Sequence, residues 1–274
     1  MPAETPTAPG APGGPRAWEI DRDRLAGTRF STVRIFDEIG STNTVLMEEA
    51  TAGAPEGVVV VADHQTAGRG RLGRAWSAER GTALLVSVLL RPPLPVEELP
   101  IVLMAAGLAA CDGVEAAAGF RPGLKWPNDL VVADRKLAGL LTESTGGQAP
   151  GVVVGLGVNV SAGAYPAELA GEATSCAEEA GRPVDRAELL VALLEAFESR
   201  YATALASGGR QTTLAAYRAG SATVGRRVRV DLTAGTPVEG QASRVADDGR
   251  LVVVDDAGAE QLIHVGDVKH LRRA

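Results

Sequence analysis

Three arginines and three glycines fall within Ala67-Gly68-Arg69-Gly70-Arg71-Leu72-Gly73-Arg74-Ala75-Trp76. Gly68, Gly70 and Gly73 admit backbone conformations that other residues resist and let N–H groups approach a ligand closely. Arg69, Arg71 and Arg74 carry forked donors suited to bidentate contact with phosphate or carboxylate. A flexible basic surface loop is the ordinary alternative for a Gly/Arg-rich stretch, so the flanking residues decide between the two. Gly155-Leu156-Gly157-Val158-Asn159-Val160 has valine where a dinucleotide fingerprint needs its third glycine, and the chain holds no Gly-Lys-Ser/Thr phosphate loop. Any nucleotide phosphates must therefore be met by the arginines. His64, His264 and His270 lack catalytic partners at meaningful spacing and read as structural, and nothing local to Glu143 demands a metal or supporting role for it.

Precise binding by such a segment requires a rigid frame. Val58 to Ala62 is a buried-strand run ending just before the arginines, and Ala83 to Leu90 is a second one just after them, so the loop joins two core strands. Val33 to Phe36 reads as a strand entering a helix capped by Ser41 or Thr42. Pro100 to Ala118 reads as an Ala-rich buried helix ended by Gly119. Short strands at 124–126, 130–132, 136–142 and 152–158 are joined by tight turns, which suit antiparallel neighbours because a parallel pair needs a long crossover. Asp185 with Glu188 forms a capping box before a stripe of Leu189, Leu190, Leu193, Leu194, Phe197 and Tyr201 at helical spacing. Beyond Gly220 the pattern turns to short strands at 228–232, 237–245, 251–254 and 261–265, the size of a compact barrel.

Composition bounds the rest. The chain of 274 residues is 45% apolar and 22% charged, as expected of a soluble globular protein with one substantial domain and one small one. Its net charge of −7 argues against nucleic acid as a partner. The two cysteines, Cys111 and Cys176, lie far apart, which favours a reducing cytoplasm over a disulfide framework. The run Ile101–Ala110 is too short to cross a bilayer, and the N-terminus lacks the order of a signal peptide. Residues 1–16, dominated by Pro, Ala, Gly and Thr, read as a disordered tail, with a larger domain over 17–221 and a small β domain over 222–274.

Taken in order, Gly40-Ser41-Thr42-Asn43, the segment Gln65 to Trp76, Lys125-Trp126-Pro127-Asn128-Asp129, Arg135-Lys136-Leu137-Ala138-Gly139 and Gly155-Leu156-Gly157-Val158-Asn159 resemble the motifs of biotin protein ligases. The resemblance implies an α/β (α+β) fold with a mixed, largely antiparallel sheet and flanking helices, plus an SH3-like C-terminal barrel. It also implies a two-step reaction. Biotin and ATP, with Mg2+, give biotinyl-5′-AMP and pyrophosphate, and the biotinyl group then moves to a lysine of a biotin carboxyl carrier domain of acyl-CoA or pyruvate carboxylases. By the same resemblance Lys125 and Arg69 are the catalytic candidates. Ser41, Thr42, Asn43, Gln65, Gly68, Arg69, Gly70, Arg71, Lys125, Gly155 and Gly157 are expected at biotin, and Arg71, Arg74, Trp76, Asn128, Lys136 and Asn159 at the nucleotide. The metal ligands stay unassigned.

Some biotin ligases carry an N-terminal winged helix-turn-helix, and the stretch before Val33 is too short for one. The expectation is therefore a cytoplasmic ligase without operator or membrane binding, monomeric or weakly dimeric on ligand binding. Two rivals remain: a lipoate ligase or octanoyltransferase, which is expected to lack the paired Gly-Arg-Gly-Arg loop, and a non-catalytic biotin sensor.

Overall fold

The computed structural model describes residues 18–147, 150–233 and 235–271. The tail expected over residues 1–16 lies outside them. β-Branched and leucine-rich runs form a seven-stranded sheet from β1 (Thr32–Phe36), β2 (Val58–Ala62), β3 (Ala83–Leu90), β4 (Gly123–Lys125), β5 (Asp129–Val132), β6 (Arg135–Ser144) and β7 (Val152–Asn159), ordered β1-β2-β3-β7-β6-β5-β4. Only β1 and β2 run parallel, because a helix (Thr42–Thr51) fills their connection; every other neighbouring pair is antiparallel. The mixed, largely antiparallel expectation holds. The β5–β6 turn places Ala133 and Asp134 at φ of 48° and 70°, the left-handed pair that a tight two-residue hairpin requires.

Six helices accompany the sheet among the described residues: α1 (Arg22–Leu25), α2 (Thr42–Thr51), α3 (Pro100–Ala118), α4 (Cys176–Ala180), α5 (Arg186–Leu205) and α6 (Gly209–Ala219). The helix α3 ends where predicted, with Gly119 left-handed at φ 84°. It lies so close to α5 that a Cβ on Gly113 would stand 2.8 Å from the Leu193 Cα. With its preceding turn α3 is long and apolar enough to cross a membrane, which the run Ile101–Ala110 alone did not suggest, yet 72% of that window is buried inside the protein. The predicted stripe of α5 is buried throughout. Asp185 caps α5 by accepting from the Ala187 and Glu188 amides, but the Glu188 carboxylate accepts from Arg24 instead of closing the box. Residues 209–219 escape the sequence reading because the apolar side of α6 is short, with Leu214 and Tyr217 buried among polar neighbours.

The C-terminal module is a second, five-stranded antiparallel sheet, SH3-like in kind, from β8 (Arg227–Asp231), β9 (Val238–Val245), β10 (Leu251–Val254), β11 (Glu260–Ile263) and β12 (Asp267–His270) in the order β11-β10-β9-β8-β12. The strand β12 was not foreseen, and its pairing with β8 is what carries Asp267 back toward the larger sheet. Side chains at the β5–β6 turn tie the two sheets together. Asp134 pairs with Arg226 at 2.7 Å and accepts from His270 Nδ1 at 2.8 Å, while His270 Nε2 accepts from Thr223 Oγ1 at 3.2 Å. Burial holds the imidazole pKa below its ordinary value, so the neutral ring with one proton fits this arrangement.

Candidate active site

One cleft collects most of the residues singled out by type and spacing. It is lined by Ser41, Thr42, Asn43 and Gln65 at one end, by Arg69, Gly70, Arg71, Arg74 and Trp76 from the arginine loop, by Asn128 and Lys136, and by Gly155 and Gly157 from β7. Leu72, Ala75, Asp129, Gly139, Leu140, Leu141, Leu156 and the barrel residues Gly266 and Asp267 complete it.

The uncharged end is built at the N-terminus of α2. Ser41 stands at the N-cap position but makes no side-chain cap, so the simple capping reading fails. Instead Gln65 Oε1 accepts from the Thr42 amide at 2.7 Å, which ties the end of β2 to the start of α2. Ser87 Oγ lies 2.6 Å from Asn43 Oδ1 and 2.7 Å from Thr42 Oγ1. An amide oxygen only accepts, so the single Ser87 proton goes to Asn43 and fixes the orientation of its carboxamide. All four of Ser41, Thr42, Asn43 and Ser87 are buried, and the network leaves the floor rigid.

Gly155 is required by this floor. A Cβ there would sit 2.1 Å from Asn43 Oδ1. Gly155→Ala is therefore expected to push Asn43 aside and, with biotin on this floor as the motif resemblance implies, to weaken biotin binding at least about tenfold while leaving ATP binding nearly intact, the loss expected when buried partners are displaced. Titration calorimetry with each ligand checks this, and an unaltered biotin Kd refutes the assigned floor. Gly157 serves a different neighbour: its notional Cβ meets the Trp76 ring at 2.5 Å, and Trp76 also packs on Gly139.

The charged end is made by the loop and the β5–β6 hairpin. The loop doubles back on itself, with the Trp76 amide donating to Gly68 O at 2.9 Å and the Gly70 amide to Arg74 O at 2.7 Å. Leu72 at φ 56° and Gly73 at φ 73° turn its tip. Arg71 Nη1 donates to Asn128 Oδ1 at 2.9 Å, and burial lowers the Arg71 pKa from its usual value. No carboxylate bonds directly to that guanidinium among the described residues, so Arg71 is a desolvated cation facing the cleft. Arg74 instead pairs with Asp267 at 2.7 Å. Burial alone would raise the Asp267 pKa, but the bond and charge of Arg74 hold it below the ordinary carboxylate range. Lys136 Nζ stands 2.7 Å from Asp129 Oδ1 and 5.6 Å from the Trp76 ring centroid, inside the cleft.

Three predicted residues stand elsewhere. Lys125 does not line the cleft but borders it: it ends edge strand β4 opposite Asp129, and its charge acts on Asp267 at the cleft's barrel end and on His270. Gly68 is buried behind the loop, where a Cβ would meet Trp76 O at 2.4 Å, so it shapes the hairpin rather than the cleft wall. Asn159 is buried, with Nδ2 donating to Thr174 O at 2.9 Å, and it holds the backbone of Lys136 at 3.3 Å. Its Oδ1 is buried without a partner. Sequence reasoning missed Asp267, because β12 was not recognised, and offered Glu143 only a metal or supporting role that nothing local demanded; Glu143 Oε2 accepts from Asn43 Nδ2 and from Arg69 Nη2, each at 2.8 Å. No cluster of three His, Cys, Asp or Glu suited to a metal ion forms among the described residues.

Known proteins match both parts of the chain. Residues 35–159 match the biotin/lipoate A/B protein ligase family and residues 223–271 the biotin protein ligase C-terminal domain. The chain is 40% identical over 259 residues to a biotin–[acetyl-CoA-carboxylase] ligase of Mycobacterium tuberculosis, covering 92% of this chain and 94% of that protein. It is 35% identical over 232 residues to the bifunctional ligase/repressor BirA of Bacillus subtilis, covering 82% of this chain and 70% of that one. Among solved structures, a biotin protein ligase from Aquifex aeolicus in complex with biotin and ATP superposes with a TM-score of 0.76 at 26% identity, covering 88% of this chain and all of that one.

Proposed function

The chain belongs to the biotin protein ligase family, and from that premise we propose that it joins biotin to ATP in this cleft and passes the biotinyl group to a carrier-domain lysine. In the first step a biotin carboxylate oxygen attacks the α-phosphorus of MgATP and pyrophosphate leaves. In the second, the carrier amine attacks the acyl carbonyl and AMP leaves. The observation that carries the reading is the polarity of the one cleft: a rigid, neutral hydrogen-bonding floor at Thr42, Asn43 and Gln65, opposite three cations at Arg71, Arg74 and Lys136. The floor suits an uncharged ureido ring, and the cations suit a carboxylate and phosphates brought together against their repulsion.

Lys136, rather than Lys125, is assigned to the charge that develops as carboxylate and α-phosphate combine. Its ammonium lies inside the cleft beside Trp76 and Asp129, whereas Lys125 stands next to Asp129 on the neighbouring strand and does not line the cleft. Arg71 holds the phosphate and acyl oxygens, Arg74 exchanges Asp267 for phosphate oxygens, and the Trp76 face covers the acyl chain and nucleotide. A magnesium ion brought in with ATP would screen the phosphate charge, and Asp129 and Asp267 are the cleft carboxylates that would help hold it. The carrier is the biotin carboxyl carrier domain of an acyl-CoA carboxylase, and the enzyme acts in the cytoplasm.

Incubating the purified chain with biotin, MgATP and a carrier domain should add one biotinyl group to a single carrier lysine, read by intact-mass spectrometry. Pyrophosphate release with lipoate but not biotin would replace the reading with a lipoate ligase. Biotin binding with no pyrophosphate release would reduce it to a sensor.

A further inference from the structure

Glu143, on β6 opposite Val153 of β7, touches two parts of the site that no other side chain joins among the described residues. Its Oε2 accepts from the Asn43 carboxamide, whose other end is fixed by buried Ser87, and from the guanidinium of Arg69 at the base of the loop hairpin. An unbroken chain of hydrogen bonds therefore runs Ser87, Asn43, Glu143, Arg69, from the cleft floor to the loop that covers it. We propose that Glu143 is a positioning residue, a clasp that transmits the order of the floor to the arginine loop and so retains the activated intermediate. The proposal rests on the enzymatic reading above only for its second half.

The chemistry favours a clasp over simple packing. The Asn43 arm is part-buried and neutral and is fixed geometrically, whereas Arg69 and Glu143 are 45% and 25% exposed. An ion pair so exposed is weak, salt-screened and able to open and reclose, which suits a loop that must admit biotin and release AMP. The second carboxylate oxygen, Oε1, has no bond to either group, so all coupling passes through one atom. Arg71 and Arg74 bond to Asn128 and Asp267, on the far side of the hairpin, so the Glu143 contact anchors the loop independently.

The test uses Glu143→Gln, which keeps shape and removes charge, and Arg69→Gln, which breaks the same bond from the loop. In Glu143→Gln, amides of residues 67–75 should exchange about threefold to fivefold faster than in the wild type, the change an exposed pair supports. Labelling of an unrelated lysine-rich protein, per pyrophosphate released, should rise by the same factor. Raising salt to about 0.5 M should give the wild type that increase and leave Glu143→Gln unmoved, a response that a packing role would not produce. The double variant should exchange no faster than either single one. Wild-type exchange and bystander labelling in Glu143→Gln, or a salt response that persists in it, would overturn the clasp. If the wild-type chain released no pyrophosphate with biotin, the enzymatic reading would fail, and the exchange comparison, which needs no turnover, would still decide the clasp.

Discussion

Lys136→Ala should reduce biotin-dependent pyrophosphate release by about 10²- to 10³-fold with a much smaller change in ATP affinity, the signature of a cation whose partner charge appears only in the transition state. The ammonium stands 2.7 Å from Asp129 Oδ1, a carboxylate that pre-positions it in the cleft, and beside the Trp76 ring. Lys125→Ala is the informative contrast. Lys125 precedes the Pro127-Asn128-Asp129 turn that carries the family motif, and its charge reaches Asp267 and His270 from the cleft's border. That variant should keep its rate within about threefold, the scale of a partly exposed charge removed from the site's border. A larger loss in Lys125→Ala than in Lys136→Ala, from single-turnover measurements on both, would return the catalytic role to Lys125.

Arg71→Gly should turn a selective enzyme into a leaky one. Biotinyl-AMP is a mixed anhydride that reacts with any amine, so selectivity depends on holding it until the carrier arrives. Arg71 is half-buried, anchored by Asn128, and its pKa is lowered by burial without a carboxylate bonded to it. A guanidinium in that state gains most from an anion placed before it, about 1.5–3 kcal/mol for a charged hydrogen bond, so its removal should weaken adenylate retention about tenfold to a hundredfold. The substitution also places glycine next to Leu72 and Gly73, where the chain already turns left-handed, and loosens the hairpin further. Mass-spectrometric counting of biotinylated lysines on a bystander protein reads the effect. Unchanged bystander labelling with the first step intact would show that the loop does not hold the adenylate through Arg71. This effect should exceed that of Glu143→Gln, because Arg71 faces the ligand and Glu143 only steadies the loop.

Near neighbours along the chain were enough to specify the parts whose information is local. Val58–Ala62, Ala83–Leu90 and Pro100–Ala118 appear as elements within those same bounds, because strand runs and a Gly-terminated helix are specified by near neighbours. The tight turns of the hairpins likewise fixed antiparallel pairing, and the order of the motifs fixed the family. The parallel β1–β2 pair was not visible in that way, since it depends on where α2 crosses the sheet rather than on either strand.

Tertiary structure was needed to see that Lys136 lies in the cleft beside Trp76. Lys125 and Lys136 flank strand β5, and the fold brings the Lys136 ammonium to 5.6 Å from the Trp76 ring centroid while the charge of Lys125 reaches Asp267 and His270, a difference that residue type does not encode. Glu143 and Asp267 are read for the same reason. Glu143 lies 100 residues from Asn43 and 74 from Arg69, and Asp267 lies 193 from Arg74. Contacts at such separations are set by sheet order and by the docking of the barrel, which place distant residues a single hydrogen bond apart without leaving a periodic trace in the chain.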